Sequence, residues 1–388
     1  MSIDKSSVTI FKLIWDCEFY YRLLISISKI KDNGISTLLS SIILREFTVF
    51  IQEMSKYAPD IEKAILEDTS KVFKDSYQSI RDRIHYFTSQ PFDYLAEKSN
   101  AENIIQNLQA HHLTRPIDSL SAFRYDLSYI KVGNMVYFSS LDVNMLACGT
   151  PLEKDGRIIG DVLKQYSTDL SSIIANIKRG FTVSEIDGLI NLGDLCLNGA
   201  ASNIEFYDGK FDVAVSRSGF PEYLTAISLR ILSDVGSLRY MVEELFADEW
   251  VNTYHLYFFT RLIAIRFDEI SDAIYVIDKD FPGDESNAFI ELLKTNGIYP
   301  FPDDIRLIAK KLRNSIHYNP SGEIWSIDFN KSFYWHQNFL KQASTKSSLL
   351  ANWPDDYLIL KDKMLAHLEL LHKLLSEIYD FQLKQFKE

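Results

Sequence analysis

The chain has 388 residues, 46% of them hydrophobic and 24% charged, and its 41 basic and 53 acidic residues leave a formal net charge of −12. That composition is enough for two or three domains with a real core and excludes a disordered chain. The acidic balance excludes the broad basic face of a protein that grips duplex nucleic acid, and Cys17, Cys148 and Cys196 are too few and too scattered for a disulfide framework or a zinc site.

Gly and Pro are scarce, at 15 and 10, while Phe and Tyr number 25 and 21. Few turn residues and many large apolar ones favour long helices, so the expected fold is mainly α. No stretch has the length and uncharged apolar character of a membrane span. The opening MSIDKSSVTIFKL lacks the pattern of a secretory signal, which makes the cytoplasm the expected location.

From Ile10, apolar residues at intervals of three and four, through Leu13, Ile14, Cys17, Tyr20, Tyr21 and Leu24, predict a first helix that ends by Asn33-Gly34. Leu38 to Tyr57 resumes the pattern, and Pro59-Asp60 starts a helix expected to run to His85. After a polar stretch with His111-His112, the segments Leu127–Val132 and Met135–Ser139 flank Gly133-Asn134 as a β-hairpin. A helix is expected between Asp155-Gly156 and Gly180. A second hairpin is then expected, with Ile204–Tyr207 and Phe211–Val215 flanking Asp208-Gly209.

From Glu243 the same order is expected again: a long aromatic helix with Trp250, Tyr254, Tyr257, Phe258 and Leu262, a second helix near Ala273, and a third over Ala288–Leu293. Pro302-Asp303-Asp304 and Pro354-Asp355-Asp356 each start a helix, with Pro at the entry and acids where the macrodipole favours them. The expected division is residues 1–180 as an N-terminal helical domain, 181–235 as a connector with a small β ribbon, and 236–388 as a C-terminal helical domain.

Two hexapeptides stand out, Arg81-Asp82-Arg83-Ile84-His85-Tyr86 and Arg313-Asn314-Ser315-Ile316-His317-Tyr318, with Arg, Ile, His and Tyr at the same offsets. Each closes an amphipathic segment. On a helix the Arg and His lie one turn apart on one face, and both can touch one ligand. Basic residues gather around both copies: Lys71, Lys74 and Arg83 near the first, and Arg306, Lys310 and Lys311 near the second. No Walker loop, dinucleotide glycine fingerprint, His-Glu-x-x-His or Gly-x-Ser-x-Gly occurs, so neither a cofactor nor a metal is expected.

The repeated Arg-x-x-Ile-His-Tyr resembles the motif of the HEPN superfamily, small helical bundles marked by an Arg, a polar residue next to it and a His further on. Here the Arg-to-His interval is shorter than that family's. The resemblance implies two HEPN-like bundles in tandem, related by a pseudo-twofold axis and carrying small β-hairpin insertions. It also implies a metal-independent endoribonuclease, such as a toxin or phage-defence effector, with one composite site between the halves.

In chemical terms, cleaving RNA through its own 2′-hydroxyl needs an acid, a base and cations for the phosphoryl oxygens. His85 and His317 would be the acid and base pair, and Arg81 and Arg313 the phosphate clamps. Asp82, Asn314, Tyr86, Tyr318, Lys310 and Lys311 complete the expected substrate contacts. The expected partner is a short single-stranded RNA, with an antitoxin or other protein as a further one. The alternative is a HEPN-like scaffold without catalysis that binds a nucleotide, an RNA or a protein; separately, a purely structural role for the motif would have each Arg pair with an acidic neighbour and each His cap its own helix.

Overall fold

The computed structural model describes residues 204–246, 253–314 except 282, and 355–379, the strands at 127–132 and 135–139, and parts of 16–29, 47–73, 86–99 and 165–176. This part is mainly α. It holds helices α1 (Pro59–Ile65), α2 (Phe211–Ser218), α3 (Glu222–Arg239), α4 (Thr253–Asp280), α5 (Asp284–Thr295), α6 (Asp303–Asn314) and α7 (Asp355–Tyr379), with strands β1 (Leu127–Val132), β2 (Met135–Ser139) and β3 (Ile204–Gly209). No described helix is long and apolar enough to cross a membrane.

α3 and α4 form the centre. Most of α3 is buried, and its Ser228, Ser233, Gly236 and Ser237 are small enough for close approach by neighbours. A π-helical turn, Tyr240–Leu245, continues it. α7 lies against both α3 and α4, α6 packs along α4, and β2 lies against α3. α4 buries apolar residues around its circumference, Leu262, Ile263, Ile265, Phe267, Ile270 and Ile274 among them, together with the charged Arg261, Arg266, Asp268 and Glu269. One hydrophobic cluster joins the first described helical segment to the last, from Phe19 to Tyr379. Phe19 stacks on Phe258 of α4 with ring centroids 4.3 Å apart, and its full burial is worth roughly 1.5–3 kcal/mol.

Several expectations change. The helix that starts at Pro59 stops at Ile65, well short of His85. The polar run after it makes its own bonds: Thr69 Oγ1 donates to the Leu66 carbonyl, and the Ser70 N–H and Oγ both donate to Asp169. Ser70 Oγ in turn accepts from the Phe73 N–H, so Ser70 caps a new helical start. α4 is one helix of 28 residues where two were expected, because its buried charged residues leave the 3.6 period unbroken.

β1 and β2 pair antiparallel across Gly133-Asn134, with Val132 opposite Met135. The second expected hairpin is not formed. β3 instead pairs antiparallel with the other edge of β1, Leu127 opposite Gly209 and Val132 opposite Ile204, giving the order β2-β1-β3. Residues from Phe211 onward are α2. Phe211, Val213 and Val215 alternate as a strand would, but Phe211 and Ala214, three apart, are the pair buried in the core where α2 meets α7. Within the stretch expected as a connector, the described residues from Phe211 onward are mostly helical, and position 235 falls inside α3.

α2 ends at Gly219, which has φ 68° and whose N–H reaches the Val215 carbonyl at 3.1 Å. A Cβ there meets no atom within 4 Å, so the left-handed backbone alone requires glycine. Gly219→Ala is expected to lower stability by about 1–2 kcal/mol with an unchanged denaturant slope, read by urea unfolding.

Candidate functional site

α6 begins where Pro302 and the acids Asp303 and Asp304 placed it, and the Arg306 N–H closes its first turn on the Pro302 carbonyl at 2.9 Å. Ile305, Ile308, Ala309 and Leu312 are buried against α4, while Lys310 is exposed and Lys311 half-buried. Arg313 follows on the face toward α4.

Its guanidinium meets an acidic stripe of α4. Arg313 Nη1 lies 2.7 Å from Asp268 Oδ2, 3.0 Å from Glu269 Oε1 and 3.6 Å from Asp272 Oδ2. The aligned hydrogen bond goes to Glu269. Asp268 gains the charge without an aligned donor: neither of its oxygens accepts a hydrogen bond, and its side chain is fully buried. Burial, outweighing the pull of Arg313, lifts the Asp268 carboxyl from 3.8 to about 6. Two turns earlier in α6, Arg306 pairs with Asp272 at 2.8 Å and lies over the Tyr275 ring at 5.0 Å.

The end of the first hexapeptide is also described. Tyr86 is buried and its hydroxyl donates to Asp234 Oδ2 of α3 at 2.8 Å, while the Arg230 guanidinium lies 4.3 Å above its ring. Arg230 and Asp234, one turn apart on α3, approach to 3.9 Å. Burial, together with the negative charge of Asp234, raises the Tyr86 phenol well above its ordinary value and keeps it a donor; the positive charges of Arg230 and Arg266 oppose the shift.

The two described motif residues are thus held at different places. Tyr86 is fixed on α3 and sits in the field of Arg266, whereas Arg313 is fixed on Asp268 of α4. Residues 266 and 268 are separated by about 200° around a helix of 3.6 residues per turn, so they face different sides of α4. Arg81, Asp82, His85, His317 and Tyr318 lie outside the described residues, and Asn314 is described only as the last residue of α6. Among the described residues, no group of His, Cys, Asp and Glu is placed to hold a metal ion.

The acids around Arg313 were not among the expected site residues. A signal for them exists in Ile265-Arg266-Phe267-Asp268-Glu269-Ile270: charges within a helix that is otherwise apolar all round must be buried, and buried charges need partners. The half-buried imidazole of His367, on α7, tilts against Phe301 with centroids 4.6 Å apart and lies 5.8 Å from Phe267. Burial lowers its proton affinity, although it also bonds to the backbone of Ile298. His367 packs α7 onto α4. No protein-family model, curated protein or solved structure matches this chain.

Proposed function

We propose that the chain is a HEPN-like helical scaffold that binds a protein partner and does not cleave RNA. The observation that carries this reading is the capture of Arg313 by Asp268, Glu269 and Asp272. A guanidinium already facing three carboxylates presents an arriving phosphate with negative surroundings, and a phosphate clamp needs the opposite. Arg306, the other arginine of the basic cluster on α6, is likewise paired with Asp272. With a formal net charge of −12, the chain suits a neutral or basic protein surface better than a polyanion.

The recurrence of Arg-x-x-Ile-His-Tyr favours a second reading, a metal-independent endoribonuclease with His85 and His317 as acid and base, Arg81 and Arg313 as clamps, and one composite site. One assay separates the two: cleavage and binding of a labelled short single-stranded RNA by the wild type, His85→Ala, His317→Ala and the double variant. The scaffold reading expects no cleavage by any of them and only weak binding that vanishes between about 50 and 200 mM salt. Wild-type cleavage that falls about 100-fold or more in each single variant, with the double little worse, would establish the nuclease instead.

A further inference from the structure

We propose that the joint between α4 and α6 is a proton-responsive clasp, in which Asp268 takes up a proton as the solvent turns mildly acidic and the joint tightens when it does. This concerns the joint alone and holds under either reading of function.

The geometry supplies the reason. Asp268 is withdrawn from water, yet the guanidinium of Arg313 against it is shared with two other carboxylates and aims its aligned N–H at Glu269. The described charged groups acting on Asp268 are Glu269 and Asp272 of its own helix and Lys310 and Arg313 of α6, with Arg306 tied to Asp272. From α7, the imidazole near this place is His367, which contacts the neighbouring Phe267. From α3, Arg230 and Asp234 engage Tyr86. The local balance therefore leaves Asp268 ionised without full compensation at neutral pH, a state that protonation relieves.

Direction follows from linkage. The folded carboxyl titrates at about 6, above its ordinary 3.8, so between these values the folded chain binds a proton that the unfolded chain does not. The contribution of Asp268 to stability accordingly rises as pH falls through 6 toward 4, and it is at its least favourable above 6.

The test compares the wild type with Asp268→Asn, a neutral isostere of the protonated acid, and with Asp272→Asn as a more exposed control, by thermal melting at pH 7.5 and pH 5.0. Asp268→Asn is expected to melt above the wild type at pH 7.5, and the gap should narrow by about 2–4 °C at pH 5.0. The Asp272→Asn gap should change less. A gap for Asp268→Asn that is the same at both pH values, whatever its sign, overturns the clasp. Carboxyl carbon NMR of the wild type, with the Asp268 signal assigned by its loss in the variant, provides a second readout. A midpoint near 6 supports the proposal, and one at or below the ordinary value for aspartate overturns it.

Discussion

Replacing Arg313 with Ala is expected to lower stability by about 3–5 kcal/mol at pH 7.5, the range seen when one partner of a buried ion pair is removed. The magnitude follows from what stays behind. Asp268 has a fully buried side chain and Glu269 is 4% exposed, so two acids would lose their shared guanidinium in a place water does not reach. Asp272, at 35%, recovers solvent and adds little. The loss should shrink as pH falls, because the Asp268 carboxyl, already lifted to about 6, can then be neutralised by a proton. It should also be reduced in Arg313→Ala/Asp268→Asn, which removes the most buried of the stranded charges. Denaturant midpoints of the single and double variants at two pH values measure this. A single variant within about 0.5 kcal/mol of the wild type would mean that the contacts behave as an exposed pair.

A loss of similar size is expected for Arg261→Ala. Arg261 Nη1 and Nη2 donate to the two oxygens of Asp16 at 3.0 and 2.9 Å, and the guanidinium lies 5.1 Å from the Phe258 ring centroid. Both side chains are almost fully buried, at 2% and 4% exposed, so the pair fastens the first described helical segment to α4 without help from water. Removing the arginine takes the bidentate partner from an almost fully buried carboxylate, at a cost of about 3–5 kcal/mol. Arg261→Lys should restore little, since an ammonium lacks the planar fork that meets both oxygens. Asp16→Leu/Arg261→Met should recover most of the loss, because apolar side chains of similar size avoid the desolvation penalty altogether. The order expected in urea unfolding is wild type and the double variant above Arg261→Lys, with Arg261→Ala lowest. A lysine variant as stable as the wild type would show that a positive charge alone is enough here.

Both substitutions concern arginines held by carboxylates from distant parts of the chain. Arg313 was singled out because Arg, Ile, His and Tyr recur at fixed offsets, and that pattern is consistent with a ligand site or with a helix end that pairs locally. In the structure the atoms opposite its guanidinium are carboxylate oxygens. Those belong to Asp268, Glu269 and Asp272, on a helix 44 positions away by the Glu269 bond. Tyr86 has the same history, its partner Asp234 lying 148 positions further on.

The sequence by itself determined whatever depends on a few neighbouring residues. Pro302 and Pro354 followed by paired aspartates set the starts of α6 and α7, because proline preorganises the first turn and acids complement the dipole there. Gly133-Asn134 marked the break between β1 and β2, and the apolar intervals through Met364, Leu368, Leu371 and Leu375 set the buried seam of α7. Only the tertiary structure decided that Phe211–Ser218 is a helix and not a strand, that β3 adds to the far edge of β1, and that α4 runs unbroken. It also decided which acids hold Arg313. Capping and periodicity act within one or two turns, so they are written in adjacent residues. The burial that resolves an ambiguous apolar run, and the partner a buried charge must have, come from segments far along the chain that no local spacing encodes.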